Sequence, residues 1–399
     1  MSHPRVVLVT RRFWPLVGGA ESVMARLGAA LVRRGSDTTV LTARWASSWP
    51  EQFVHHGVRV VRLPQSRLRF LGTLEYMRAV ARWLNENRES FDLVYVSMFK
   101  HDAYAAVGVG KRRRFPVAIR AEGGGFSGDM HWQLQATCGR RIKRRCYQAA
   151  ATIAPSRAIE REIIAAGYPR ERIHYIPNGV PFEPLEPPLD TASREEAAQN
   201  ARRVLATASA QLRLPAPNSP LVLFAGRLDE TKGLETLIRC WPQVIAGRPQ
   251  ARLWIVGEGP HRDTLLSAIR DTGCESSILL PGAFDNVDEL LAAANVFVLP
   301  SREEGLSIAL LEAIAAGVPV VASDIPGNRQ LIDDQQHGLL VPKEDADALA
   351  AAIIRQIENP ERGLQMAQHA RQRAADQFSL DAMVGQHLEL FERLLAEQR

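Results

Sequence analysis

Short apolar runs alternate with longer amphipathic segments along almost the whole chain. The short runs are rich in valine, isoleucine and leucine, which is typical of strands buried on both faces of a sheet. In the longer segments apolar side chains recur every three or four residues, as they do in a helix with one buried face. The segment from Glu21 to Gly35 is a clear helix, because it begins with an acid and ends with two arginines before a glycine. The alternation therefore predicts parallel sheets with helices packed on both faces.

The predicted strands fall into two groups. The first comprises residues 5–10, 38–44, 91–97, 116–121, 151–156 and 172–178, and the second comprises residues 220–227, 251–259, 277–282, 295–301 and 319–323. Between the groups the pattern breaks at Pro181–Asp190, which is rich in proline and acid, and a polar helical segment follows from about Ser193 to Leu212. Two long helical patterns, Pro360–Phe378 and Ser379–Gln398, close the chain.

The break divides the chain into two domains, and we predict an α/β protein of two Rossmann-like, doubly wound domains. The predicted parts are an N-terminal domain (1–182), a linker with a helix (183–219), a C-terminal domain (220–375) and a final helix (376–399). Doubly wound sheets bind ligands at the carboxyl ends of their strands. A ligand shared by two such domains would lie in the cleft between them.

Composition narrows the class of protein. A hydrophobic content of 46% and a charged content of 23% are those of a globular protein with a substantial core. No apolar run approaches the roughly 18 residues of a membrane-spanning helix, and the first apolar run is too short for a signal peptide. The four cysteines form no CxxC pair. We expect reduced, structural cysteines and a cytoplasmic protein, with peripheral attachment to the inner membrane surface left open.

The net charge of +5 is unevenly distributed. Residues 1–182 hold 29 basic and 13 acidic side chains, a balance of +16, whereas the rest of the chain holds 20 and 31, a balance of −11. The basic clusters are Lys111–Arg114 and Arg140–Arg145. They suit an anionic membrane surface or a phosphorylated substrate, and a solvated surface is the alternative. Nucleic acid is not expected as a partner, because interleaved aromatic residues and a recognition motif are lacking.

Three motifs lie where strands end and helices begin. In "LVGGAES", Gly18 and Gly19 allow a ligand to approach the backbone at a helix N-terminus. The alternative is an ordinary glycine turn, which would have the same sequence pattern. In "GRLDETKG", which starts at Gly226, the cations Arg227 and Lys232 precede a helix. Two cations beside free N–H groups suit a diphosphate, and the alternative is a surface arginine and lysine beside a turn.

The third motif is "EEGLSIALLEAIAAG". Its Glu304 is predicted in a loop, and Gly305 and Leu306 are predicted to begin a helix with free N–H groups, with Ser307 beside them. Glu312 stands between apolar residues in that helix, and a carboxylate there needs a polar partner. The hydroxyls of a ribose would satisfy it, and solvent or an arginine is the alternative.

Taken in order, these motifs and "PNGV", "VGEG", "LPGAF" and "HGLLVP" resemble glycosyltransferase family four, from Gly18 to about Pro342. The resemblance implies a GT-B fold, in which two Rossmann-like domains face each other across a cleft and the last helix packs back on the first domain. It also implies a retaining enzyme that transfers a sugar from a nucleotide diphospho-sugar to an acceptor hydroxyl, in glycan, glycolipid or cell-surface polysaccharide biosynthesis. The nucleotide sugar is a substrate, and no cofactor is expected.

The resemblance also implies roles for residues. Arg227 and Lys232 would contact the donor diphosphate, Glu304 the donor sugar with the Gly305 and Leu306 amides nearby, and Glu312 the ribose. Gly19 would lie close to the donor phosphates or the acceptor. The implied catalytic set is Arg227, Lys232, Glu304 and His101.

One position departs from the family pattern. Family members often carry a histidine after a strand of the N-terminal domain, whereas Ser97 stands there in this chain. His101, with Asp102 beside it, is the nearest replacement, and the alternative is that it merely begins the next helix. The loop "RAEGGGFSGDMHWQ" offers Glu122, Ser127 and Asp129 as acceptor contacts, together with Gly18.

No metal is expected. The stretch "EDADAL" contains an Asp-x-Asp pattern, but it precedes a helical segment, so Asp345 is predicted to be a helix N-cap. Two other functions remain open: a sugar-nucleotide epimerase with the same fold, and a non-catalytic protein that binds nucleotide sugars. The nucleobase, the sugar and the acceptor stay open.

Overall fold

The computed structural model describes residues 3–16, 18–66, 68–125, 128–183, 190–208, 212, 215–216 and 219–398. The chain forms two compact units: Met1–Gly179 with Leu380–Arg399, and Val180–Ser379. Each unit has its own parallel sheet and its own hydrophobic core.

The sheet of the first unit has eight strands among the described residues. They are β1 (Val6–Val9), β2 (Thr38–Ala43), β3 (Gln52–His55), β4 (Val58–Leu63), β5 (Leu93–Ser97), β6 (Val117–Arg120), β7 (Ala151–Ala154) and β8 (Ile173–Tyr175). Their order in the sheet is β3-β4-β2-β1-β5-β6-β7-β8. All neighbours pair in parallel except β3 and β4, which form an antiparallel hairpin at the edge.

Helices join most of these strands. They are α1 (Gly19–Arg33), α2 (Arg69–Glu86), α3 (His101–Arg113), α4 (Asp129–Gln135), α5 (Gly139–Cys146) and α6 (Arg157–Ala165). The strands β1, β5, β6 and β7 are buried along their whole length, as expected for a sheet covered on both faces. The β3–β4 hairpin was not predicted from the apolar runs.

The second unit has a parallel sheet of six strands in the order β11-β10-β9-β12-β13-β14. The strands are β9 (Leu221–Ala225), β10 (Arg252–Val256), β11 (Ile278–Gly282), β12 (Val296–Leu299), β13 (Val320–Ser323) and β14 (Leu339–Val341). The helices are α7 (Thr191–Ala208), α8 (Leu234–Gly247), α9 (Arg262–Thr272), α10 (Asp288–Ala293), α11 (Ile308–Ala315), α12 (Ala346–Glu358) and α13 (Pro360–Phe378). The prediction of two parallel, doubly wound α/β domains is confirmed.

The structure divides the chain differently from the predicted boundaries at three places, one of which is the end of the second unit, at Ser379 rather than at residue 375. The first unit ends at Gly179 rather than at residue 182. The helix predicted within a linker, α7, is part of the second unit and packs against α10. Arg194 and Arg202 on α7 donate hydrogen bonds to carbonyl oxygens at the end of α10. These bonds anchor the polar helix, because backbone carbonyls at a helix end otherwise lack partners.

The last helix, α14 (Leu380–Ala396), belongs to the first unit. His387 on α14 is buried, and its Nε2 lies 3.0 Å from the hydroxyl of Tyr95 on β5. His387 Nδ1 lies 2.7 Å from the carbonyl oxygen of Met383, which fixes that nitrogen as the donor and leaves Nε2 to accept from the tyrosine. Burial lowers the pKa of His387 to about 4, so the ring is neutral near pH 7.

Candidate functional site

The carboxyl edge of the second sheet brings two loops together. Lys232 lies in the loop after β9, and its Nζ donates a hydrogen bond of 2.7 Å to Oε1 of Glu304, which lies in the loop after β12. β9 and β12 are neighbours in the sheet, so the loops that follow them lie side by side. The side chains are 21% and 9% exposed, respectively. The pair is therefore largely shielded from water, although part of it remains accessible.

The backbone holds the two loops against each other. The amide of Arg302 donates to the carbonyl oxygen of Thr231 at 2.7 Å. Gly233 follows Lys232 with a φ of +61°, and a Cβ at this position would lie 2.2 Å from the carbonyl oxygen of Pro300. Glycine is needed here for both reasons, the left-handed backbone and the close approach. This contact fixes the distance between the loop that carries Lys232 and the loop that carries Glu304.

Glu304 has one oxygen committed to the protein and one that is available. Oε1 accepts from Lys232 and also from the hydroxyl of Ser301 at 2.8 Å. No described residue donates a hydrogen bond to Oε2. Ser301 is fully buried, so it holds the carboxylate in one orientation. Sequence reasoning missed Ser301, and its only signal was a serine three residues before the glutamate at the end of a strand.

Arg227 is less constrained than Lys232. Its side chain is 62% exposed, and its Nε lies 3.7 Å from a carboxylate oxygen of Asp229. Asp229 itself accepts from the amide and the hydroxyl of Thr231, which shapes the loop. Gly226 precedes Arg227 directly after β9. The structure therefore places both predicted cations in one loop, with Lys232 fixed and Arg227 free to reorient.

The predicted start of the helix after Glu304 was wrong by three residues. α11 begins at Ile308, and Ser307 is its N-cap, whose hydroxyl accepts from the amide of Leu310 at 3.3 Å. Gly305 and Leu306 lie in the turn before the helix. A serine that caps a helix start defines the boundary more strongly than the glycine two residues earlier. Within the described part of the chain, the amides of Gly305 and Leu306 form no hydrogen bond.

Glu312 lies in α11 between Leu311 and Ala313, both of which are fully buried. Glu312 itself is half-buried. It stands two turns beyond Glu304 in the sequence, on the helix that starts at the carboxyl edge of the sheet. This edge of the sheet therefore carries the ammonium group of Lys232 and two amides without partners among the described residues. It also carries two carboxylates, one in the loop before α11 and one within that helix. This set suits a ligand that carries both negative charge and hydroxyl groups.

In the first unit, α1 begins at Gly19, two residues before the predicted start at Glu21, and Gly18 is its N-cap. The side chain of Glu21 folds back over this start, since a Cβ at Gly18 would lie 2.3 Å from Glu21 Oε2. Glu21 also lies 3.1 Å from Nε of Arg12. A carboxylate near a helix N-terminus is favourable. The sequence pattern marked Glu21 as an acid at the start of a helix, but it did not indicate the contact with Arg12.

His101 is the first residue of α3, a position that both alternatives for this residue share. Its Nε2 lies 3.6 Å from Sγ of Cys138, and its ring meets Trp132 edge-on at 5.2 Å. Burial lowers the pKa of His101, and the neighbouring cations Arg11 and Lys100 lower it further. The ring is thus held neutral. Asp102 beside it is buried, which raises the pKa of its carboxyl to about 6.

Glu122 and Asp129 belong to a buried polar network. Arg120 donates to both oxygens of Glu122 at 2.6 Å, and Ser97 donates to Oε1 at 2.7 Å. The two oxygens of Asp129 accept from the amides of Phe99 and Glu122 at 3.1 and 2.8 Å. These side chains are already engaged by the protein, which favours a role in shaping the loop over direct contact with an acceptor. Ser127 lies outside the described residues.

Asp345 is confirmed as a helix N-cap, because its Oδ1 accepts from the amide of Ala348 at 2.9 Å. It is therefore committed to α12. In the part of the chain that the structure describes, no group of three or more histidine, cysteine, aspartate or glutamate side chains could hold a metal ion.

Two family models match the chain, one in each unit. The model described as "Glycosyl transferase 4-like domain" matches residues 18–179, and the model described as "Glycosyl transferases group 1" matches residues 219–359. The second match includes Lys232, Glu304 and Glu312. The first includes Gly18, Gly19 and the Glu122 network.

Two curated proteins are similar to this chain. One is the GDP-mannose-dependent alpha-(1-6)-phosphatidylinositol monomannoside mannosyltransferase of Mycobacterium tuberculosis, which is 27% identical over 95% of this chain and 96% of its own length. The other is the lipopolysaccharide core biosynthesis glycosyltransferase LpsE of Rhizobium meliloti. It is 34% identical over 47% of this chain, and that match spans about half of its own length (54%).

A solved structure with a similar fold is that of HepE from Anabaena, in complex with UDP and glucose. It has a TM-score of 0.77 and 20% identity, and it covers 98% of this chain and 100% of its own. The fold is therefore that of the GT-B enzymes. With both family models in the expected order and transferases among the relatives, the chain belongs to the group 1 glycosyltransferases of family four and is an enzyme that transfers a sugar.

Proposed function

We propose that the carboxyl edge of the second sheet binds a nucleotide diphospho-sugar and that the enzyme transfers its sugar with retention at the anomeric carbon. The observation that carries the proposal is the Lys232–Glu304 pair, with the partner-free amides of Gly305 and Leu306 beside it. A diphosphate needs cations and N–H donors, and a sugar needs a hydrogen-bond acceptor for its hydroxyls. The edge supplies both within two adjacent loops.

Each group has a distinct role in this proposal. Lys232 and Arg227 bind the diphosphate, whose negative charge grows as the bond to the sugar breaks. Oε2 of Glu304 accepts from a hydroxyl of the transferred sugar. Glu312, two turns along α11, accepts from the hydroxyls of the ribose.

The reaction breaks the bond between the anomeric carbon and the diphosphate oxygen and forms a bond to the acceptor oxygen. Retention follows if the acceptor attacks from the face that the diphosphate leaves. The acceptor proton then goes to the departing phosphate oxygen, which becomes more basic as the bond breaks. Lys232 stabilises the nucleoside diphosphate product in place, so its effect is larger in the transition state than in the ground state.

The donor and the acceptor class rest on the relatives. HepE is described in complex with UDP and glucose, and the mycobacterial relative is described as GDP-mannose-dependent. We therefore propose a UDP- or GDP-linked hexose as donor and a glycolipid or cell-surface polysaccharide precursor as acceptor. Neither an epimerase nor a non-catalytic binding protein is favoured, because the relatives are transferases.

A thermal-shift screen across UDP-, GDP- and ADP-sugars tests the donor site directly. A ligand that binds only the folded state raises its stability by RT ln(1 + [L]/Kd), so a concentration of about 100 Kd adds about 2.7 kcal/mol. We expect one nucleobase to dominate, and we expect Lys232→Ala to lose the shift. Lys343, an exposed lysine of the same unit, provides the matched control variant. A shift that survives in Lys232→Ala would remove this residue from the site.

We also propose that the first unit associates peripherally with an anionic membrane, on its cytoplasmic side. Among the described residues, no helix is long and apolar enough to cross a bilayer. The support for a peripheral contact is the balance of +16 over residues 1–182. Each cation close to an anionic surface contributes roughly 1 kcal/mol, and salt weakens the attraction. Co-sedimentation with phosphatidylglycerol vesicles at low and moderate salt tests it, and negligible binding at both would exclude it.

A further inference from the structure

A groove crosses the surface of the first unit over α3, between α2 and α5. Its volume is about 600 Å³. Its floor includes the small residues Ala105 and Gly108 of α3. The missing side chain at Gly108 makes room for a guanidinium, since a Cβ there would lie 2.3 Å from Arg145 Nη1. The groove is thus formed by small residues on the central helix and long residues on its neighbours.

Six cationic side chains line this groove. They are Arg78, Lys111, Arg112, Arg141, Arg144 and Arg145. No aspartate or glutamate lines it, and within the described residues none of the six forms an ion pair. Arg145 and Arg141 lie over the ring of Tyr104, with their guanidinium carbons 4.8 and 5.7 Å from its centre. The groove therefore concentrates positive charge that the protein itself leaves uncompensated.

An anion in the groove would relieve the repulsion among these cations. Like charges repel, and the repulsion is stronger near a low-dielectric wall than in bulk water. Guanidinium groups match the geometry of phosphate oxygens, to which they donate two parallel hydrogen bonds. The lining therefore favours an anion with several acceptor oxygens, such as a phosphate group, over a halide.

The groove also has an apolar component that continues along α2. Leu74 and Met77 of α2 line it. Phe70 and Leu71 precede Leu74 by four and three residues, so they extend the same face of the helix. Their exposures are 80% and 55%, respectively. Exposed apolar side chains next to a cationic groove suit an amphiphile rather than a fully water-soluble phosphate.

We propose that the groove is a discrete binding site for the phosphate of an anionic phospholipid, with Phe70 and Leu71 entering the acyl layer beside it. The proposal rests on the membrane association proposed above and specifies the residues that carry it. A discrete site differs from diffuse attraction, because it depends on which cations are present and not only on their number.

The test compares two pairs of substitutions with the same change of charge. The groove variant is Arg112→Gln with Arg144→Gln, and the control is Arg33→Gln with Arg59→Gln, which are exposed arginines elsewhere in the first unit. Binding is measured to vesicles of phosphatidylcholine with 30% phosphatidylglycerol, chosen at about that fraction to mimic an anionic leaflet. We expect the groove variant to bind roughly 30-fold more weakly than the unmodified protein, as two cations at about 1 kcal/mol each require, and the control to lose much less.

Three outcomes separate the hypotheses. Equal losses in both variants would show diffuse attraction and overturn the groove as a site, while leaving membrane association intact. No vesicle binding by the unmodified protein would overturn both. The same variants are also titrated with soluble pyrophosphate. If the unmodified protein binds pyrophosphate through the groove but does not bind vesicles, the ligand is a free phosphate compound and the lipid proposal is overturned. As a further expectation, Phe70→Ser should weaken vesicle binding without changing the thermal shift given by the donor.

Discussion

Replacing Gly233 by alanine tests whether the contact between the two site loops positions Lys232 and Glu304. The new Cβ would lie 2.2 Å from the carbonyl oxygen of Pro300, so the loop after β12 must move by about 1 Å to reach an ordinary contact. The left-handed backbone adds roughly 1–2 kcal/mol of strain for alanine. The steric overlap adds about 1–3 kcal/mol more. We therefore expect a loss of roughly 2–5 kcal/mol in the free energy of unfolding.

Gly273 provides a matched control within the same unit. Its φ is +67°, close to that of Gly233, but a Cβ there would have no atom within 4 Å. Gly273→Ala should therefore show only the backbone strain, roughly 1–2 kcal/mol. The difference between the two variants isolates the contact with Pro300.

The assay is urea unfolding together with calorimetric titration of the nucleoside diphosphate that the thermal-shift screen identifies. A displacement of about 1 Å in a site loop is enough to lower activity about 100-fold in other enzymes. We expect Gly233→Ala to bind the nucleoside diphosphate at least about tenfold more weakly, a loss of roughly 1.4 kcal/mol. Gly273→Ala should bind it normally. If the two variants are equally stable and bind equally well, the contact does not position the site.

Four further predictions concern the donor site, the need for a metal and the dependence of stability on pH. Lys232→Ala and Arg227→Ala should each lower turnover about 100- to 1000-fold, the usual effect of losing a donor to developing charge, and normal turnover in either would remove it from the diphosphate site. Glu312→Ala should weaken binding of both the nucleoside diphosphate and the sugar nucleotide, whereas Glu304→Ala should weaken only the sugar nucleotide; calorimetry with both ligands decides this, and identical losses would contradict the division. EDTA should leave activity unchanged, and a loss restored by magnesium or manganese would contradict this. Finally, the pKa of His387 is lowered to about 4 in the folded state, so the free energy of unfolding should fall as the pH drops below about 6.5. Between pH 7 and pH 5 this residue should account for a loss of about 2 kcal/mol. Urea unfolding at the two pH values measures this loss, which His387→Gln should abolish.

Buried parallel strands were predictable from the sequence, whereas the edge of the first sheet was not. Strands such as β5 and β9 are apolar along their whole length, so their pattern is unambiguous. β3 alternates between exposed and half-buried positions, and it contains a histidine and a glutamine. The sequence signal at this edge is Gly57, in the turn between β3 and β4. In the structure His56 and Gly57 both have positive φ, as a tight hairpin requires.

The pairing of site residues could not be predicted from sequence spacing. Lys232 and Glu304 are 72 positions apart, and they meet because β9 lies beside β12 in the sheet. The order of strands depends on how the helices pack, which no local pattern contains. The start of α11 was misplaced for a different reason, because Ser307 was considered as a ligand contact and not as a cap.

The type of a side chain also does not show whether its hydrogen-bonding groups are already satisfied within the protein. Glu122 and Asp129 follow a strand in a glycine-rich loop, where an acceptor contact was plausible. The structure satisfies both carboxylates internally, through Arg120, Ser97 and backbone amides. Conversely, Glu304 keeps one oxygen without a hydrogen bond among the described residues, and no sequence pattern distinguishes it from Glu122 in this respect.

The most direct test of the central claim is the release of nucleoside diphosphate from the donor that the thermal-shift screen selects. With a lipid extract as the source of acceptor, the unmodified protein should release the nucleoside diphosphate and transfer the radiolabelled sugar to the extract in equal amounts. Lys232→Ala should do both about 100- to 1000-fold more slowly, while Lys343→Ala should match the unmodified protein. A donor that binds without any release, or a Lys232→Ala variant that releases it at the normal rate, would contradict transfer at the carboxyl edge of the second sheet.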